Sequence, residues 1–168
     1  MGRFLGETIA KRVPYDKSYD PYDKDSRGPG FRVKVSGIFD KDSSEMLKNY
    51  KELNVWQKSY RLCLEVYRIT AGFPKDEKFG LTSQIRRAVV SVPSNIAEGY
   101  GRKTTADYIK SLYIAYGSNC ELETQIMLSG DLDYIDSDIG KVIMSEINEV
   151  ERMLKALIKS LENKHLNP

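Results

Sequence analysis

Histidine is nearly missing from these 168 residues: there is one, His165, beside the last few positions. Helical proteins that hold two metal ions use a Glu-x-x-His pair on each of two helices, so one histidine excludes that arrangement within a chain. No G-x-S-x-G elbow, Walker phosphate loop, Cys-x-x-Cys pair or H-E-x-x-H run occurs either. Gly99-Tyr100-Gly101 is too short for a nucleotide loop. The expectation is therefore no catalytic residue, no metal and no cofactor. Cysteine is scarce too. Cys63 and Cys120 each lie in an apolar helical stretch and read as reduced thiols of a cytoplasmic protein, a disulfide between them being the less favoured alternative. No run of about 18 apolar residues exists to span a membrane. The opening MGRFLGETIAKRV lacks the apolar stretch of a secretory signal. Strong charge of one sign is absent as well. The net charge is +2, from 26 basic and 24 acidic residues, so any nucleic-acid surface has to come from local clustering.

The first 45 residues differ in character from the rest. A Tyr-Asp tract over 15–25 is followed by the turn signal Arg27-Gly28-Pro29-Gly30. Phe31, Val33 and Val35 then alternate with Arg32, Lys34 and Ser36, which is a strand pattern. One short strand needs a partner. Residues 1–45 are thus expected to be an extension, partly extended or disordered, serving as a flexible leader or as an arm that docks on a neighbouring subunit. Residues 46–168 are expected to be the folded domain.

From Asn54 the apolar period becomes helical. Val55, Ser59, Leu62, Val66, Ile69 and Phe73 recur at steps of four and three, and Trp56, Tyr60, Cys63 and Tyr67 form a second stripe beside them. Asn54 reads as the N-cap, and Gly72-Phe73-Pro74 as the stop. A second helix is predicted from about Asp76 to Glu98, kinked or loosened by Pro93 and ended by Gly99 and Gly101. A third runs from Thr104 or Thr105 to Gly130. Gly117 in its middle costs about 1 kcal/mol relative to alanine, which a close helix–helix approach would justify. The fourth, capped by Asp136 or Ser137, carries Ile143, Ile147, Val150, Leu154, Leu157 and Leu161. Short connections make neighbours antiparallel. The fold class is all-α: an antiparallel, up-down-up-down four-helix bundle. The first helix has an apolar face wider than one bundle core needs, so Trp56, Tyr60 and Tyr67 are candidates for an interface with another subunit.

The second helix also carries a polar stripe: Gln84, Arg87, Ser91, Asn95 and Glu98 share one face. Arg86 and Arg87, with Arg102 and Lys103 at the following loop and Lys110 on the third helix, are the candidate phosphate contacts. The third helix's N-terminus would itself favour an anion there. Equally open is a structural use, with Arg86 or Arg87 bridging to Glu98, Glu121 or Glu123, and Ser91 and Asn95 satisfying backbone freed by Pro93. The acidic turn from Asp131 to Asp138 lacks the glycine and terminal glutamate of a calcium loop. It is read as negative charge at a helix start.

Several stretches resemble one family. They are Leu53-Asn54-Val55-Trp56-Gln57-Lys58, Phe73-Pro74-Lys75-Asp76-Glu77, the run from Gly80 to Ala88 with its Arg86-Arg87 pair, Pro93-Ser94-Asn95-Ile96-Ala97-Glu98-Gly99, Gly117-Ser118 and Glu121-Leu122-Glu123-Thr124-Gln125. Together, over about residues 46–163, they resemble the bacterial four-helix-bundle proteins encoded in intervening sequences of 23S ribosomal RNA genes. They are also similar to the accessory variability protein of diversity-generating retroelements. The resemblance implies a homo-oligomeric ring, commonly a pentamer, that binds RNA or DNA, or that docks a protein partner such as a reverse transcriptase. Arg86, Arg87 and Arg102 match the family's basic positions. Tyr116 stands where many relatives carry arginine, which lowers the local positive charge.

Overall fold

The computed structural model describes residues 49–166. They form a short 3-10 turn, Tyr50–Glu52, then α1 (Asn54–Thr70), a second 3-10 turn (Lys75–Lys78), α2 (Leu81–Tyr100), α3 (Thr105–Asp131) and α4 (Ser137–Leu166). The extension expected over residues 1–45, with its candidate strand, lies outside the described residues. α1 packs on α2 and α4, and α3 also packs on α2 and α4, so α1 and α3 occupy opposite corners of a square. Short loops reverse the chain after α2 and α3, and a longer connection containing the second 3-10 turn reverses it after α1. This is the expected antiparallel four-helix bundle, with no strand among the described residues.

The core is the set of apolar stripes turned inward. Leu62 and Val66 of α1 meet Ile85, Val89 and Ile96 of α2, Leu112 and Leu122 of α3, and Ile147, Val150 and Leu154 of α4, all essentially without solvent exposure. Each buried leucine or isoleucine contributes on the order of 1.5–3 kcal/mol relative to exposure. Phe73, just past α1, closes one end by packing against Tyr134 at 5.6 Å between ring centres. Several small polar side chains are buried as well, and the largest of them, Asn119, is 1% exposed and donates from Nδ2 to the Ile147 carbonyl at 3.2 Å.

The ends of the helices differ from expectation in three places. Asn54 is the first residue of α1 rather than its cap; Leu53 is the cap and has no side-chain bond. α2 begins at Leu81, not near Asp76. Lys75–Lys78 is a separate turn, and the Glu77 carboxylate caps α2 from outside by accepting the Leu81 N–H at 2.7 Å. The same carboxylate accepts the Tyr134 hydroxyl at 3.4 Å, tying α2's start to the α3–α4 loop. Gly99 does not end α2. It is buried within the last turn, and Gly101 is the C-cap. The Thr104 hydroxyl caps α3 by accepting the Asp107 N–H at 3.1 Å. An Asp136 carboxylate oxygen accepts the Asp138 N–H at 3.0 Å at the start of α4, so this acidic turn works as a helix start.

Pro93 lies inside α2 without breaking it, and its ring is buried. The carbonyls nearby are covered by side chains. Ser94 Oγ donates to the Val90 carbonyl at 2.7 Å, and Asn95 Nδ2 donates to the Ser91 carbonyl at 2.8 Å. Ser91 Oγ in turn meets Ser118 Oγ of α3 at 2.8 Å. The carbonyl that Pro93 frees is that of Val89, four residues back, and neither Ser91 nor Asn95 bonds it; the structural use expected for them is instead a link from α2 to α3 through Ser118.

Candidate nucleic-acid interface

Arg86 and Arg87 are neighbours in sequence, but successive helical residues are turned by about 100°, and the pair points into different grooves. Arg86 faces α1. Its Nε donates to Thr70 Oγ1 at 2.9 Å, and its guanidinium lies over the Tyr67 ring, 4.8 Å from the centre. It is half-buried, and neither Glu121 nor Glu123 is its partner. Arg87 faces α3. It donates to Gln84 Oε1 at 2.6 Å and approaches Glu121 Oε1 at 3.4 Å, with its side chain 70% exposed. A contact of that length at that exposure stabilises by less than about 1 kcal/mol, and the Arg87 guanidinium stays largely open to solvent.

Arg102, Lys103 and Lys110 lie at the opposite end of α2. Sixteen residues separate Arg86 from Arg102, about 24 Å along a helix. The two arginines and the loop cations therefore do not converge on one point in a single copy. Arg102 pairs with Glu98 one turn back, both half-exposed. Lys103 and Lys110 are exposed. The helix N-terminus between them is less open to an anion than its position suggested. Thr104 and Asp107 exchange hydrogen bonds there, with Thr104 Oγ1 donating to the Asp107 carboxylate at 2.6 Å, so a negative group of the chain's own already sits at that end.

The candidate interface aromatics fall on the α1–α2 side. Trp56 is half-buried and stacks on Tyr60, with centres 5.2 Å apart and planes 19° from parallel. Tyr60 is 44% and Tyr67 42% exposed. Leu64, 40% exposed, completes this stripe. It lies off the core phase of α1, where a single leucine carries little signal in the sequence. On the other side of α1, Lys58 projects between Glu146 and Glu149 of α4 at 2.6 and 2.5 Å. Burial would push this ammonium down, but its hydrogen bonds to the two glutamates outweigh that and hold it above its ordinary value. Tyr116 is occupied in a similar α3–α4 contact, its hydroxyl donating to Glu151 at 3.3 Å beneath the Lys155 ammonium.

Both cysteines are free and half-buried, and burial pushes the Cys63 thiol up. Among the described residues no group of histidine, cysteine and carboxylates is placed to hold a metal. No helix among them is long and apolar enough to cross a membrane.

The family model described as 23S rRNA-intervening sequence protein matches residues 51–156. The chain belongs to this family. A solved structure from Bacteroides thetaiotaomicron, described as a protein of unknown function from the S23 ribosomal protein family, is 26% identical. The match covers 62% of this chain and 95% of that one, with a TM-score of 0.59. A search of curated proteins gave no match. Within the intervening-sequence family, the matched span takes in all five candidate cations and all three candidate interface aromatics.

Proposed function

We propose that this intervening-sequence protein is a non-enzymatic, oligomeric nucleic-acid-binding bundle of the cytoplasm, with structured RNA as its ligand. The observation that carries the proposal is the exposed group Arg102, Lys103 and Lys110 at the α2–α3 turn. Lys103 and Lys110 take part in no ion pair among the described residues. Arg87 extends the same α2–α3 flank toward the other end. Arg86 contributes by holding Tyr67 and Thr70 in place, with its outer edge at the rim of the α1–α2 groove. Each copy offers a short basic strip, and several copies together would supply the spaced phosphate contacts that one copy lacks. Trp56, Tyr60 and Tyr67 are the residues through which copies associate, and the family's pentameric ring is the form proposed.

A titration of labelled structured RNA by fluorescence anisotropy, at two salt concentrations, tests this. Binding should weaken steeply with salt. Lys103→Ala with Lys110→Ala should reduce the slope of log affinity against log salt by roughly two while leaving the particle mass unchanged. Absence of binding at low salt removes RNA as the ligand, and an unaltered slope in the double variant removes Lys103 and Lys110 as its phosphate contacts.

The second reading is a protein-docking module whose partner is a polymerase such as a reverse transcriptase. It is favoured by the pairing of Arg102 with Glu98 and of Arg87 with Glu121, which neutralises those cations within the chain. Under it the same titration stays flat, and a purified reverse transcriptase co-elutes with the bundle.

A further inference from the structure

We propose that Lys51, on the 3-10 turn before α1, is a further phosphate contact of the RNA site, which is then a patch across the ends of three helices that takes a paired RNA stem. This rests on the nucleic-acid reading above and adds to it a residue, a shape and a form of RNA.

Antiparallel packing puts the start of α1, the end of α2 and the start of α3 at one end of the bundle. The turn Tyr50–Glu52 packs there, against both α1 and α2. Lys51 therefore stands at the same end as Arg102, Lys103 and Lys110.

The turn is held on both sides of this lysine. Asn49 Oδ1 accepts the Lys51 N–H at 2.9 Å, and Gln57 Nε2 of α1 donates to the Lys51 carbonyl at 2.8 Å. The Tyr50 ring lies edge-on to Trp56, with centres 5.2 Å apart. With the backbone already fixed, binding an anion orders only the lysine side chain.

Charges at this end are sorted by sign. Each carboxylate of the three elements has a partner within the chain. Glu52 accepts from Asn49 Nδ2 at 3.2 Å, Glu98 pairs with Arg102, and Asp107 accepts the Thr104 hydroxyl at 2.6 Å. Lys51, Lys103 and Lys110 are exposed and take part in no ion pair among the described residues. The free charge presented to solvent is positive.

The shape of the patch selects the ligand. Neighbouring axes in a bundle lie about 8–10 Å apart, and α1 and α3 occupy opposite corners. Lys51 and Lys110 are thus separated by the diagonal of the square, roughly 11–14 Å between axes, a spread that meets two backbones across a groove. Single-strand sites instead use exposed rings on which successive bases stack. Here the rings are half-buried in pairs, Tyr50 on Trp56 and Tyr100 on Tyr108. Tyr113, one turn past Lys110, is exposed on the bare outward flank that it shares with Ile114, Met127 and Leu128. Its hydroxyl is held by Glu162 of α4 at 3.0 Å, and one ring cannot stack successive bases.

Fluorescence anisotropy of a labelled RNA hairpin over a range of salt tests this with the full-length chain. Lys51→Ala should lower the slope of log affinity against log salt by about one, with helical circular dichroism and particle mass unchanged. Lys51→Arg should restore the slope. Lys78→Ala is the control. Lys78 is equally exposed and in no ion pair among the described residues, but it precedes α2 at the opposite end of the bundle. Its loss removes the same charge and should leave the slope alone. A single strand of equal length should bind more weakly than the hairpin. A slope that responds to Lys103→Ala with Lys110→Ala but not to Lys51→Ala overturns the inference and leaves the RNA reading intact. Equal losses from Lys51→Ala and Lys78→Ala overturn it too, because a diffuse effect of net charge needs no contact at Lys51. A single strand that binds as tightly as the hairpin overturns the paired stem. No binding of either RNA at low salt sinks this inference together with the reading on which it rests.

Discussion

Gly99 and Gly117 sit on adjacent helices of one bundle, and each interrupts a stretch of good helix formers, yet their surroundings are opposite. A Cβ at Gly99 would lie 2.7 Å from Cδ2 of Tyr108 and 2.8 Å from Cβ of Ser111. The α2–α3 crossing there has no room for one more carbon. At Gly117 the space is empty. The sequence suggests that Gly99 ends a helix and that Gly117 allows a close approach; in the structure the close approach is at Gly99, and Gly117 lies in the open middle of α3. The lesson concerns what a helical glycine reports. Its presence in a sequence does not say whether a neighbour comes near, and only the packing separates the crowded glycine from the open one.

The largest way to break this comparison is Gly99→Leu. Four added carbons at a crossing already in contact should destabilise the bundle by about 3 kcal/mol, the upper end of the overpacking range, read as a lower urea midpoint. An unchanged midpoint would mean that Tyr108 can swing aside and the crossing is not tight. Smaller and opposite in sign is Gly117→Ala, which should raise the urea midpoint by an amount equivalent to about 1 kcal/mol. A fall in stability there would place a neighbour of the same chain over Gly117.

The smallest effect sharpens the crossing itself. The Tyr108 hydroxyl is buried against α2 with no hydrogen-bond partner. Burial, with a lesser contribution from Tyr100, pushes its pKa up to about 12, above the value near 10 of an unfolded tyrosine. A group whose folded pKa is raised stabilises fully below its unfolded pKa and loses that contribution as pH climbs through the folded one. Stability should therefore decline between about pH 10 and pH 12. Tyr108→Phe should change neutral-pH stability by less than about 1 kcal/mol and flatten that decline. Lys58, raised for a different reason, acts in the same direction and accounts for slope that remains. An alkaline limb of equal steepness in the variant would show that Tyr108 does not titrate there.

The bundle was legible because three-four spacing is a collective signal. Val55, Leu62 and Val66, or Ile143, Ile147, Val150 and Leu154, repeat often enough to outvote local irregularity. Boundaries were less so, since they depend on single contacts. Asp76, Glu77 and Lys78 have the composition of a first helical turn, yet Gly80 breaks the run and Glu77 turns back to cap the start of α2. Asn54 has a good capping side chain, but the backbone at Leu53 already leaves the helix. The candidate site was legible as residue types and not as a place. The Arg86-Arg87 pair reads as one basic spot in a string of letters, and the helical twist sends the two side chains into grooves on either side of α2. The bare flank of α3 was invisible because Tyr113, Ile114, Met127 and Leu128 look like core residues until the core is seen to be full without them.

The square arrangement also orders events in time. α1 meets α2, α2 meets α3 and α3 meets α4, so three of the four seams join neighbours in the chain, and such short-range contacts form quickly. Only the α1–α4 seam must wait for distant segments to find each other. That seam is where Lys58 enters between Glu146 and Glu149, so charges of opposite sign draw together the two ends of the domain. Salt should slow this last docking step more than the earlier ones, giving the refolding rate a dependence on ionic strength.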